Sequence, residues 1–180
     1  MASSVQNNDG NVSGGATNNP GGPKARLLLQ QCLSGRLMVK PAEDDMPAEY
    51  VTIQQGLVAY VCFLKGADKS TVSKMVKLIL TTRLSEKEEN GKRVSVADLP
   101  GDILIIPQAT LGGKTKGKMM QYHQNIDKTT GLSLYQDLCS QCTMGMESTK
   151  REVKWGTYGN RQVFSMETNG PYTHMIEISD

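Results

Sequence analysis

Leu57-Val-Ala-Tyr-Val-Cys-Phe-Leu64 and Asp102-Ile-Leu-Ile-Ile106-Pro107 are the two stretches on which the fold turns. Neither alternates apolar with polar residues, and a short apolar run holding β-branched or aromatic side chains is the pattern of a strand buried on both faces. Two such strands need cover on either side. Between them Asp68 offers a helix N-cap, and Val72, Met75, Val76, Ile79 and Leu80 recur at helical spacing, which predicts a helix to about Thr82. Beyond them Leu132, Tyr135, Leu138, Cys139 and Cys142 make the apolar face of a second helix, expected to start after the break at Gly131.

Working outward, the apolar runs 26–33 and 36–39 are broken by Ser34-Gly35, which reads as two strands around a turn or one strand with a bulge. Val51 and Ile53 alternate with polar neighbours over 50–54. A charged turn over 86–92, with Asn90-Gly91 inside it, leads through Val94 and Val96 to the second buried strand, and the segment after Pro107 reads as a glycine-bearing loop. The last thirty residues, with turns at Gly159-Asn160 and Asn169-Gly170-Pro171, read as a β-meander. The expected class is α+β: a mostly antiparallel twisted sheet or open barrel with two main helices.

Of 180 residues, 38% are hydrophobic and 21% charged, enough to bury a core without staples and too few apolar residues in a row to span a bilayer. Residues 1–23 hold five Gly, five Asn, three Ser and two Pro with Asp9 as the sole charge, and are expected to form a disordered tail. A single domain over 24–180 follows. The tail has neither a transit-peptide nor a signal-peptide pattern, so the expected location is cytoplasmic. Net charge is only +2, so any RNA contact must come from a local patch. The four cysteines lie in apolar or helical surroundings and are expected to be reduced thiols.

Several short motifs fail on inspection. Gly112-Gly-Lys-Thr-Lys-Gly117-Lys118-Met119 nearly spells a phosphate-binding loop, but Met119 has no hydroxyl for a magnesium ion and no parallel strand-helix-strand unit surrounds it. Lys114, Lys116 and Lys118 remain as candidates for phosphate-backbone contact, against a plainly solvated basic loop. Cys139-Ser-Gln-Cys142 has no second pair to complete a zinc site and reads as core. His123 and His174 have no carboxylates at metal-cluster spacing, and no serine-nucleophile elbow occurs. No metal or cofactor is expected. What stands out is Pro107-Gln108-Ala109-Thr110 at the end of a buried strand, where amides lose their ladder partners, and Thr168-Asn169-Gly170-Pro171-Tyr172-Thr173-His174, a rigid backbone feature.

These two segments, with Leu-Leu-Gln30-Gln31, Gly56-Leu-Val, Glu89-Asn-Gly91-Lys92 and Gly101-Asp-Ile-Leu, resemble the D-aminoacyl-tRNA deacylase family from about Ala25 to Ile178. Family members carry Ser-Gln-x-Thr followed near the C-terminus by Asn-x-Gly-Pro. Here Pro107 stands for the serine, Ala109 for a bulkier residue, and Gln31 for an arginine, a combination that resembles an animal-specific branch. The resemblance implies an esterase that hydrolyses D-aminoacyl-tRNA, and in this branch L-alanine mischarged on threonine tRNA. The implied pocket has Gln108, Ala109 and Thr110 as catalytic wall, with Gln31, Pro107, Asn169, Gly170, Pro171, Tyr172 and Thr173 binding substrate. The Gly-Pro bond is cis in ordinary members and trans in this branch, and the sequence leaves the isomer of Gly170-Pro171 open. Implied too are a homodimer in which this element completes the partner's pocket, and chemistry assisted by the 2′-hydroxyl of the terminal adenosine while backbone amides hold the carbonyl. The partner would be the 3′-terminal adenosine and acceptor stem of aminoacyl-tRNA, the stem touched by Lys114, Lys116 and Lys118. The alternative is a catalytically silent RNA-binding member, Pro107 marking loss of the family serine.

Overall fold

Strands β4 (Gly56–Phe63) and β7 (Asp102–Pro107) lie side by side and parallel, Leu57 opposite Ile103 and Tyr60 opposite Ile106. Their alternation divides the core in two. Leu57, Ala59, Val61 and Phe63, with Ile103 and Ile105, face the helices, whereas Val58, Leu104 and Ile106 face a second sheet. Leu104 is fully buried in that second cluster, where truncation to alanine costs about 2–5 kcal/mol. The computed structural model describes residues 21–87, 91–99 and 101–180; most of the expected tail, and Glu89-Asn90 of the charged turn, lie outside them.

Three layers result. The middle layer is a five-stranded sheet in the order β10 (Val153–Trp155), β7, β4, β1 (Ala25–Cys32) and β12 (Thr173–Ile178). Beside it stands an antiparallel sheet in the order β11 (Phe164–Glu167), β2 (Ser34–Lys40) and β3 (Glu49–Ile53). On the other face lie α1 (Lys69–Thr81) and α2 (Lys128–Met146). The two-residue strands β5 (Ser85–Glu86) and β6 (Arg93–Val94) pair with each other, as do β8 (Lys114–Lys116) and β9 (Met119–Gln121). The class is α+β with two helices, as expected, and the parallel set β10-β7-β4 occupies one side of an otherwise antiparallel arrangement.

Helix α1 begins where Asp68 predicts: its carboxylate accepts from the Thr71 amide at 2.9 Å, and the Thr71 hydroxyl accepts from the Asp68 amide, a reciprocal cap. Helix α2 starts earlier than expected. Asp127 caps it by accepting from the Thr130 amide at 2.9 Å, and Gly131 lies inside the helix instead of before it. The reason is space, because a side chain at 131 would collide with the Tyr158 hydroxyl. Tyr135 anchors α2 to the sheet, its hydroxyl oxygen lying 3.0 Å from both the Ile105 and Gly156 carbonyl oxygens, either of which can accept its proton.

The C-terminal segment is not a meander. β10 adds in parallel to β7, β11 adds to β2 in the second sheet, and β12 returns to pair antiparallel with β1. Local turn residues announce a reversal of direction but not which edge receives the next strand. Ser34 opens β2, so the 26–39 segment is two strands, one in each sheet. The segment after Pro107 is not a plain loop either. It forms a 3-10 turn (Ala109–Gly112) followed by the β8-β9 hairpin, which reverses at Gly117 with φ +59°. All four cysteines are buried and unpaired, and burial pushes the Cys139 and Cys142 thiols up to about 12, fitting small core residues. Among the described residues no helix is long and apolar enough to cross a membrane.

Candidate active site

Strand β7 runs out at Pro107, and Gln108 extends its pairing by one bond, its amide donating to the Val61 carbonyl at 2.8 Å. The chain then tightens into the 109–112 turn. Only later amides of a 3-10 turn reach back to carbonyls three residues earlier, so the N–H groups of Ala109 and Thr110 stand outside its ladder. Both residues are exposed, and both line a cavity of about 800 Å³. Its floor comes from the second face of β4. There Tyr60 meets Phe164 edge-on, with ring centroids 6.1 Å apart, and Cys62 lies beside it.

Three side chains from distant parts of the chain hold this turn. Arg26 of β1 donates from Nη1 to the Leu111 carbonyl at 2.7 Å. Asn125 donates from Nδ2 to the Ala109 carbonyl at 2.8 Å, and the Cys62 thiol approaches the same oxygen at 3.7 Å. The Gln108 amide group donates to the Thr110 hydroxyl at 3.0 Å, which leaves the Thr110 proton free to donate elsewhere. Burial raises the Cys62 thiol and the Tyr60 and Tyr158 phenols, so at neutral pH they are uncharged. A neutral buried thiol is a poor nucleophile. The charged side chains of the lining are Lys128 and Arg161, both cations at its rim. The site can therefore receive an anionic or carbonyl-bearing ligand and polarise it with fixed amides; among the described residues its lining shows no activated side-chain nucleophile.

Of the residues singled out from sequence, Pro107, Gln108, Ala109 and Thr110 come together here. The other group lies elsewhere in the same chain. Thr168 donates its hydroxyl to the Gln31 carbonyl at 2.9 Å, Thr173 pairs with Gln30, and Asn169 through Thr173 are exposed at the far end of β1 and β12. The Gly170-Pro171 bond, whose isomer the sequence leaves open, is cis; the two isomers differ by only about 0.5–1 kcal/mol before context acts, so no residue pattern announces the choice. Tyr172, 51% exposed, lies against Gly170. Lys114 and Lys116 project from β8 and Lys118 from the hairpin turn, all exposed and outside the cavity.

Sequence reasoning missed Tyr60, Asn125, Lys128, Tyr158, Arg161 and Phe164. Tyr60 had a signal, as the one hydroxyl-bearing side chain in the 57–64 run. Asn125 had none.

A family model described as D-Tyr-tRNA(Tyr) deacylase matches residues 28–177. The chain is 53% identical to D-aminoacyl-tRNA deacylase 2 of Homo sapiens, over 87% of this chain and 96% of that one. It is 55% identical to D-aminoacyl-tRNA deacylase 2 of Gallus gallus, over 86% and 95%. A solved structure described as a probable eukaryotic D-amino acid tRNA deacylase superposes with a TM-score of 0.74 at 28% identity, covering 86% of this chain and 99% of that one. The matched region spans β1 to β12 and so holds both the amide-bearing turn and the distant Gly-Pro loop. A family model matching residues 28–177, a shared fold and more than half of the aligned residues in common with two relatives place this chain in the D-Tyr-tRNA(Tyr) deacylase family.

Proposed function

We propose that the chain is an ester hydrolase that removes wrongly attached amino acids from tRNA, acting on D-aminoacyl-tRNA and on L-alanine mischarged on threonine tRNA. The observation that carries the reading is the 109–112 turn, whose first two amides are free beside a cavity whose lining supplies no activated nucleophile. An aminoacyl ester needs little more. Its carbonyl oxygen takes hydrogen bonds from the Ala109 and Thr110 amides, which strengthen as negative charge develops there. Water adds to the acyl carbon and the bond to the ribose oxygen breaks. The proton passes to the departing ribose oxygen, with the 2′-hydroxyl of the terminal adenosine assisting, so that free amino acid and intact tRNA leave.

Cations at the rim, Lys128 and Arg161, suit the anionic 3′ end, and the Lys114-Lys116-Lys118 hairpin suits the acceptor stem. The methyl of Ala109 leaves room for a small side chain of either hand. The exposed loop 169–173 lies away from its own cavity, which fits a homodimer in which each Gly170-Pro171 completes the neighbour's site. Such an editing enzyme belongs with translation in the cytoplasm.

The test is deacylation of three charged tRNAs. D-Tyr-tRNA and L-Ala-tRNA(Thr) should both lose their amino acid catalytically, and L-Thr-tRNA(Thr) should survive. Hydrolysis of the D-ester alone would remove the L-alanine part of the proposal; hydrolysis of neither would leave only a binding role.

A further inference from the structure

We infer that Asn125 is a positioning residue for this reaction: by holding the Ala109 carbonyl it fixes the direction of the Thr110 N–H. The inference rests on the reading above, in which the amides of this turn hold the ester carbonyl. A peptide unit is planar, with its C=O and the following N–H pointing opposite ways. The unit between Ala109 and Thr110 therefore has one free rotation, and whatever grips the oxygen aims the nitrogen. Two side chains from outside the turn grip it, the Asn125 Nδ2 at 2.8 Å and the Cys62 thiol at 3.7 Å.

Asn125 is itself held with care. Its backbone amide donates to the Tyr122 carbonyl at 3.0 Å, and it bridges to Leu64 beside β4. Its Oδ1 is buried with no hydrogen-bond partner among the described residues. An orphan acceptor is costly to bury, so an apolar residue would serve better than asparagine if the side chain only filled space. The side chain is kept for its donor, and the donor goes to the catalytic turn. Gly112 makes the arrangement possible. A Cβ at 112 would collide with Asn125 Oδ1, and this glycine does not have a positive φ, so it is there for space and not for backbone freedom. Residues 62, 112 and 125 thus form one device around a single carbonyl. Burial keeps the Cys62 thiol protonated, hence a donor.

Asn125→Ala and Gly112→Ala attack the same contact from opposite sides. Each should lower kcat about 10- to 100-fold, the cost of slightly misplacing a catalytic group, with KM changed less than about twofold. The double variant should fall little further than either single one, because both remove one interaction. Affinity for a stable amide analogue, 3′-aminoacylamino-3′-deoxyadenosine, should be unchanged, whereas affinity for a tetrahedral phosphonate analogue should drop in step with kcat. Thermal unfolding of Gly112→Ala supplies the control if Asn125→Ala folds poorly, since a merely structural role would lower melting temperature and affinity for both analogues together. That pattern, or unchanged kcat in well-folded variants, overturns the positioning role. Ala109→Pro and an ester linkage in place of the Ala109-Thr110 amide separate this outcome from failure of the underlying reading: they delete the two amides of the turn one at a time, and if kcat ignores both losses, the amides do not hold the carbonyl at all.

Discussion

Ala109 is the position where space and backbone chemistry can be separated by choice of substitution. It opens the 3-10 turn, and Gln108 before it has φ −135° and ψ 86°, an extended conformation that tolerates a following proline. Ala109→Pro therefore removes one N–H and little else. If that amide is an oxyanion donor, kcat should fall about 10²- to 10³-fold with the melting temperature nearly unchanged. Ala109→Phe leaves the amide and fills the cavity, so it should raise KM or abolish turnover on D-Tyr-tRNA; unchanged kinetics with that ester would place the amino acid elsewhere. The contrast also marks what could be read from residues alone. Pro107 to Thr110 was visible because a proline ending an apolar run leaves amides without a ladder. Asn125 was invisible, because its role depends on a contact 16 residues away with a backbone oxygen that no side-chain pattern encodes.

At the level of elements, central strands and helix starts were legible for a plain physical reason: their signals are local. Leu57–Leu64 is buried on both faces wherever it lies, and Asp68 caps α1 through its own next turn. The placement of β10, β11 and β12 was not local, since each pairs with a strand far back in the chain. The caps make a prediction of their own. Hydrogen bonds from the Ser70 hydroxyl and the Thr71 amide and hydroxyl hold the Asp68 carboxyl below its ordinary 3.8, and the Thr130 amide does the same for Asp127. Groups lowered in the folded state stabilise it above the ordinary value and cease to do so as pH falls through the folded ones. Melting temperature should thus drop as pH is taken from about 5 toward 2, and Asp68→Asn with Asp127→Asn should flatten that slope; an unaltered slope would exclude the caps as its source. The β8-β9 hairpin carries a second prediction. Lys114, Lys116 and Lys118 changed together to Ala should weaken binding to every tRNA alike and flatten the salt slope by about 0.7 to 0.9 per lost phosphate contact. Binding that keeps its salt dependence would leave the lysines as a solvated hairpin.

In the whole molecule, the two segments that first suggested a function do not meet: one chain places the 107–110 wall at its cavity and the 169–173 loop at the far end of β1 and β12. The strip beside that loop is unusually apolar for a free surface, with Met175 63% and Tyr172 51% exposed and Leu28 paired to Met175 on the same face. Both facts suit an isologous dimer, in which each patch meets its own copy. Met175→Glu should then shift the protein toward monomer in sedimentation and lower deacylation in proportion. A sharper experiment uses two inactive variants. Ala109→Phe blocks the cavity of the chain that bears it, and Gly170→Val distorts the loop, since φ there is +134° and strained for any side chain. In a mixed dimer of the two, one site carries both defects and the other is assembled wholly from unaltered parts, the cavity of one chain and the loop of its neighbour. Random exchange makes half the dimers mixed, so about a quarter of wild-type activity should return on mixing. If each site were complete within one chain, every site in the mixture would keep one defect and no activity would reappear.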